Sequence, residues 1–181
     1  MPQSYKIYLY IFVTMEREKS RTAAFSGHRT FKMGRTLFGA AGACDGDMAV
    51  RLCETLTALA EEGYTDFLCG MAEGFDLLAA EAVVAVRRDY PAVRLTAVVP
   101  FPEQARAFGV QTRERYEDLL AAADSVEVIS PRYTADCFHR RNDWLVAHAS
   151  VLICYYNGSR GGTQYTVRRA LAGGLRIINL E

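Results

Sequence analysis

The sequence predicts an α/β protein with a Rossmann-like, doubly wound, mostly parallel sheet of about six strands and helices on both faces. Three observations lead there. Short apolar runs alternate with helical patterns from Thr22 to the C-terminus. The runs are apolar on both faces, as strands of a parallel sheet covered from two sides must be. The 181 residues suit one domain with a sizeable core and supply too few units for a closed eight-fold barrel.

The elements follow in order. Thr22 to Ser26 reads as the first strand. Asp47 to Glu62 reads as a helix with Met48, Leu52, Thr55, Leu56 and Leu59 on one face, Asp45 as N-cap and Gly63 as C-cap. Asp66 to Cys69 is the second strand. Phe75 to Arg88 is a helix stopped by Tyr90-Pro91. Val93 to Val99 is the third strand, closed by Pro100. Short helices follow at Glu103 to Phe108 and Arg113 to Ala122. Ser125 to Ile129 is the fourth strand, Asp136 to Ala149 a helix, Val151 to Tyr155 the fifth strand, Thr163 to Ala172 a helix, and Leu175 to Asn179 the sixth strand. The longest irregular stretch is Gly27 to Cys44, a length that usually marks function or motion.

Domain organisation is simple: residues 1–20 form an N-terminal extension and residues 21–181 a single domain. Within the extension, Ile7 to Val13 is strongly apolar but too short to span a bilayer. No small-residue cleavage site precedes the charged run Glu16-Arg17-Glu18-Lys19, which argues against a signal peptide. The segment is either an extra edge strand or a translated stretch upstream of a start at Met15. The formal net charge of +0 gives no general attraction to nucleic acid or membrane. Five scattered cysteines without a C-x-x-C pair read as free thiols in a reducing cytoplasm. Three scattered histidines lack metal-ligand spacing, so no metal site is expected.

In an open sheet of this kind, ligands bind beyond the C-terminal ends of the strands. The segments there are Ser26-Gly27-His28-Arg29, Gly70-Met71-Ala72-Glu73-Gly74-Phe75-Asp76, Pro100-Phe101-Pro102 and Asn157-Gly158-Ser159-Arg160-Gly161-Gly162-Thr163. Three are glycine loops opening on one edge. The last joins a strand to a helix, so its free N–H groups meet the positive end of the helix dipole, an anion site and most often a phosphate site. Gly161, Gly162 and Thr163 would offer N–H groups and a hydroxyl. Gly70 and Gly74 would do the same or cradle a ribose. Asp76 is either a carboxylate favoured by the helix dipole, the leading reading, or an acceptor for a ribose hydroxyl. Arg29 suits bidentate phosphate pairing, against the alternative of a solvated loop arginine. His28 is a structural histidine before it is a ligand group. Phe101 and Tyr156 are either base-stacking or core residues. Arg141, Trp144 and His148 fall on one helical face, so Arg140 or Arg141 either meets the anion or stays solvated.

Taken in order, Ser26-Gly27-His28-Arg29, Cys69-Gly70-Met71-Ala72-Glu73-Gly74-Phe75-Asp76, Pro100-Phe101, Arg140-Arg141-Asn142 and Asn157-Gly158-Ser159-Arg160-Gly161-Gly162-Thr163-Gln164-Tyr165-Thr166 resemble the YpsA branch of the SLOG superfamily, from about Thr22 to the C-terminus. The resemblance implies a Rossmann-like fold and a nucleotide or nucleotide-derived ligand in the crevice. Relatives include the LOG phosphoribohydrolases, the DNA-processing protein DprA and sensor domains for ADP-ribose-like ligands. Bacterial members are linked to cell division and stress. One departure bears on chemistry. LOG hydrolases carry a catalytic glutamate three residues after the threonine of the glycine motif, and here that position is Thr166.

The expected function is therefore cytoplasmic binding of a nucleotide or nucleotide-derived, ADP-ribose-like ligand in the crevice at the C-terminal strand edge, as in a sensor for stress or cell-division control. Gly27, His28, Arg29, Gly70, Gly74, Asp76, Arg141, Asn157, Gly158, Arg160, Gly161, Gly162 and Thr163 would form the site. No complete catalytic constellation is present and no cofactor is implied beyond the nucleotide itself. One alternative is a nucleotide hydrolase of the N-glycosidase type, with Glu73, Asp76 or Glu81 replacing the missing carboxylate. The other is DprA-like binding of single-stranded DNA through Arg140, Arg141, Arg168 and Arg169, which a neutral chain does not favour. The resemblance and the base rates for soluble chains leave a homodimer open.

Overall fold

The computed structural model describes residues 18–29 and 47–181. The elements are β1 (Thr22–Gly27), α1 (Asp47–Glu61), β2 (Asp66–Cys69), α2 (Phe75–Val86), β3 (Arg94–Val99), a 3-10 turn (Gln104–Ala107), α3 (Val110–Ala122), β4 (Ser125–Val128), α4 (Cys137–His148), β5 (Val151–Tyr155), α5 (Gly162–Ala172) and β6 (Arg176–Asn179). The sheet runs β4-β3-β2-β1-β5-β6, and every pairing is parallel. The six parallel strands agree with the doubly wound sheet of about six strands expected from the alternating pattern.

Side chains alternate across each strand and so build two cores. Ala23, Phe25, Phe67, Leu95 and Ala97 face α1, α2 and α3. Ala24, Leu68, Val98, Leu152 and Cys154 face α4 and α5, where Leu145, Val146, Val167 and Ala170 cover them. The helices reflect their burial. Helix α2 is apolar nearly all round and buries Phe75, Leu77, Leu78, Ala79, Ala80 and Val83, as a helix sunk against the sheet should. Helix α1 buries only the stripe Met48, Ala49, Leu52, Leu56 and Leu59. It ends in a Schellman motif: Gly63 adopts φ 93°, its N–H bonds to Ala60 O at 3.0 Å, and Tyr64 N–H bonds to Leu59 O at 2.9 Å.

The element bounds differ from expectation at several ends. Helix α3 starts at Val110 rather than Arg113, and α2 stops at Val86 rather than Arg88. The short helix before α3 is a single 3-10 turn. Strand β4 is exposed at all four residues because it lies at the sheet edge. Cys69, Cys137 and Cys154 are buried free thiols. Cys53 is disulfide-bonded, which the reading of five free thiols does not anticipate. The proposed N-cap Asp45, the apolar run Ile7 to Val13 and most of the long irregular stretch lie outside the described residues.

The topology fixes where a ligand can sit. The chain steps outward from β1 to β4, then α4 carries it back to β5 on the other side of β1. The strand order thus reverses between β1 and β5, and a crevice opens beyond their C-terminal ends.

Candidate functional site

Two loops meet at this switch point because β1 and β5 pair through Gly27 and Tyr155. Beyond Gly27, the His28 carbonyl accepts a hydrogen bond from the Phe75 N–H at 3.3 Å, pinning the first loop to the start of α2. His28 Nε2 accepts the Asn157 backbone N–H at 3.4 Å, and its ring packs against Tyr155 and Tyr156. Asn157 Oδ1 in turn accepts the Ser159 N–H at 3.1 Å, closing an Asx turn. His28 therefore joins the β1 loop to the glycine loop after β5.

That glycine loop delivers α5 to the crevice. Gly161 takes φ 152° and ψ −164°, a region essentially reserved for glycine. Gly162 opens the helix, and a Cβ there would meet nothing within 4 Å. The N-terminus of α5 therefore faces open space. Thr163, buried beside it, also lines the cavity.

The opposite wall comes from β2, α2 and α4. Asp76 and Arg141 form a buried ion pair at 3.2 Å, with side chains only 5% and 6% exposed. Asp76 Oδ2 also accepts the Ala72 N–H at 3.2 Å. Burial lifts the Asp76 carboxyl above its ordinary range, and the guanidinium of Arg141, the Ala72 N–H and the charge of Arg29 pull it back. Arg141 Nε is buried without a partner. Gly70 is required here because a Cβ would overlap the Arg141 guanidinium. Gly74 and Gly27 serve packing in the same way, against the backbone of His28–Arg29 and the Phe75 ring respectively. Between Gly70 and Gly74, Met71 sits at φ 54°, a conformation that a non-glycine residue holds only when its surroundings enforce it. The Gln104 amide donates to its carbonyl.

The result is a cavity of about 270 Å³ lined by Ser26, Gly27, His28, Arg29, Ala72, Asp76, Phe138, His139, Arg141, Asn142, Gly162 and Thr163. Among these are two arginines, two histidines and a single carboxylate already held by Arg141. With the α5 N-terminus added, the wall is built for an anion.

The expected site residues divide into three groups. Gly27, His28, Arg29, Asp76, Arg141, Gly162 and Thr163 line the cavity. Gly70 and Gly74 stand behind it as packing positions, while Asn157, Gly158, Arg160 and Gly161 form the exposed loop leading to α5. Arg141, Trp144 and His148 do not act together: Trp144 stacks on His148 with centroids 3.9 Å apart, at the far end of α4. Arg140 is exposed and donates to Ile129 O. Tyr156 packs on the α4/α5 core. Thr166 is fully buried, and its hydroxyl donates to Gly162 O at 3.0 Å, so the position of the LOG glutamate points into its own helix. Glu81 pairs with Arg115 at 2.8 Å, away from the crevice. Phe138, His139 and Asn142 were missed as cavity residues. The spacing of Asn142 from Phe138 and His139, one helical turn, was the available signal.

A larger cavity, about 580 Å³, lies at the opposite end of the sheet among Thr22, Asp66, Arg94, Thr96, Trp144 and His148. It is at the N-terminal strand edge, and Arg94 is paired with Asp66 at 2.9 Å. The smaller crevice holds the unbalanced positive charge.

Comparison with known proteins agrees with this architecture. The YpsA family model, described as the YspA SLOG family, matches residues 23–173. The chain belongs to this family. It is 29% identical over 150 residues to a UPF0398 protein of Bacillus pumilus, covering 81% of this chain and 80% of that one. A UPF0398 protein of Halalkalibacterium halodurans is 33% identical over 112 residues, or 61% of this chain and 59% of that protein. Several such relatives are thus matched over less than two thirds of their length. Among solved structures, DNA processing protein A from Helicobacter pylori, which binds single-stranded DNA, superposes with TM-score 0.58 at 15% identity, covering 92% of this YpsA-family chain and 67% of that one. DprA from Streptococcus pneumoniae gives TM-score 0.58 at 19% identity over 91% and 51%. These likenesses confirm the Rossmann-like fold of the family member. No described helix is long and apolar enough to cross a membrane.

Proposed function

We propose that this YpsA-family protein binds a nucleotide or nucleotide-derived, ADP-ribose-like ligand in the crevice between β1 and β5, as a sensor of that ligand in stress or cell-division control. The observation that carries the reading is the charge of the cavity wall. Arg29 and the α5 N-terminus face one small space in which Asp76 and Arg141 already neutralise each other. A phosphate there gains charge-assisted hydrogen bonds from Arg29 and from the free N–H groups of α5. The same wall argues for binding over hydrolysis. Among the described residues the only carboxylate lining the cavity is Asp76, and its buried ion pair with Arg141 and its bond from the Ala72 N–H, both to Oδ2, give it a structural task. A glycosidase needs a carboxyl group free to act on the leaving base or on water.

The test is a thermal-shift panel of ADP-ribose, AMP and NAD, each mixture then analysed by mass spectrometry. At a hundred times its dissociation constant a ligand adds about 2.7 kcal/mol of stability. For a chain of this size that corresponds to about 5–11 °C. Such a shift with the ligand recovered intact is the expected result. Released base or phosphate would make the protein a hydrolase, and no shift with any compound would overturn the proposal.

A second reading rests on the DprA likeness: single-stranded DNA binding. It fits the charge distribution less well. Arg87, Arg94, Arg169 and Arg176 are paired with Asp124, Asp66, Asp143 and Glu62, leaving no broad basic face among these residues. Retention on oligo(dT) that weakens steeply with salt would favour it.

A further inference from the structure

A cavity of about 460 Å³ lies beside the anion crevice, beyond the C-terminal end of β3, lined by Phe101, Glu103, Gln104, Arg106, Ala107 and Tyr133. We propose that it receives the base of the ligand, an aromatic heterocycle carrying an exocyclic amine, stacked on Tyr133. The proposal rests on the nucleotide reading above and extends it.

Three observations carry it. First, the two cavities are joined by a row of rings. The Arg29 guanidinium lies 5.0 Å from the centroid of Phe138, which lines the anion crevice. Phe138 meets Phe101 edge to face at 5.9 Å, and Phe101 meets Tyr133 at 5.4 Å. The anion crevice alone, at about 270 Å³, falls just below the range of ligand pockets, roughly 300–1,000 Å³. It therefore encloses the phosphosugar end of a nucleotide and leaves the base to be placed elsewhere. Second, Tyr133 is 62% exposed, although a large aromatic ring is ordinarily covered. Its edge-to-face contact with Phe101 fixes the ring while leaving it accessible, the arrangement of a stacking platform. Third, the inner wall has an unmet acceptor. Gln104 is buried, its Nε2 is committed to the Met71 carbonyl, and its Oε1 has no partner. A buried acceptor left unpaired is costly, and an exocyclic amine would supply the donor it lacks once the amide turns Oε1 toward the cavity. Because Gln104 also holds the strained Met71, the base subsite and the Gly70–Gly74 loop share one side chain.

The experiment is calorimetric titration of the full chain with AMP, IMP and ribose 5-phosphate, repeated on Tyr133→Ala and Tyr133→Phe. Tyr133 is exposed and bonds to nothing in the core, so both variants fold. Stacking sets the expected loss: Tyr133→Ala binds AMP about 5- to 150-fold more weakly, Tyr133→Phe retains it, and ribose 5-phosphate binds all three proteins alike. Wild-type protein prefers AMP over IMP by about fivefold, the value of one neutral hydrogen bond. Unchanged AMP affinity in Tyr133→Ala would overturn the stacking assignment while leaving the anion crevice intact. Equal affinity for AMP and IMP would remove Gln104 from it. Failure of ribose 5-phosphate and both nucleotides to bind the wild type would instead overturn the nucleotide reading itself.

Discussion

Replacing Gly162 with aspartate separates the stability of the fold from the function of the crevice. Gly162 is the first residue of α5, its backbone carries no positive φ, and a Cβ there meets nothing within 4 Å. A side chain is thus accommodated without strain. Removing a helical glycine is worth about 0.5–1 kcal/mol, and a carboxylate in the first turn of a helix adds about 0.3–1 kcal/mol through the dipole. Gly162→Asp should therefore unfold about 2–8 °C higher than the wild type, at about 2–4 °C per kcal/mol for a chain of this length. Binding should move the other way. The new carboxylate occupies the anion position and repels phosphate. Loss of two charge-assisted hydrogen bonds at about 1.5–3 kcal/mol each lowers affinity more than about 100-fold. Differential scanning fluorimetry reads the first quantity and titration calorimetry with ADP-ribose the second. A variant that is more stable and still binds with wild-type affinity would refute the placement of the phosphate. A variant that is less stable would refute the account of the α5 N-terminus.

Other substitutions probe the remaining walls. Asp76→Asn leaves the buried Arg141 guanidinium without its counter-charge, and should cost about 3–5 kcal/mol, read as a fall of about 6–20 °C in thermal unfolding; an unchanged midpoint would mean that the pair is not needed. Thr166→Glu restores the LOG residue type at a fully buried position and should destabilise the chain without producing base release from AMP, measured by chromatography of the products. Burial raises the Cys69 thiol well above its ordinary value and pushes Cys154 up to about 11, so neither forms thiolate at pH 8. Mass spectrometry after iodoacetamide should find both unmodified in native protein and alkylated in urea.

Much of this was legible in the chain because local rules and tertiary packing agree. The strands beginning at Thr22, Asp66 and Val151 have the expected starts, since apolar runs bounded by glycine or charged residues leave little choice of period. Gly63 was readable as a helix stop for the same reason, and the Schellman bonds realise it. The anion loop was legible because a strand, a glycine turn and a helix leave N–H groups exposed whatever the remainder does. What remained hidden depends on pairs remote in sequence. Gly70 reads as a phosphate-binding glycine, but Arg141, 71 residues later, fills the space where its side chain would be. Thr166 sits in a familiar motif, yet only the packing of α5 shows that its hydroxyl turns back to Gly162. Tyr156 reads equally as a base-stacking or a core residue and Trp144 shares a helical face with Arg141, and the sheet places both against the second core rather than at the ligand.

The most direct test of the central claim is an amide NMR titration of ¹⁵N-labelled protein with ADP-ribose. The largest shifts should fall at Gly27, His28, Arg29, Gly162 and Thr163, with smaller ones spreading to Tyr133 and Gln104. Shifts concentrated instead at Thr22, Arg94, Trp144 and His148, around the cavity at the other end of the sheet, would contradict it.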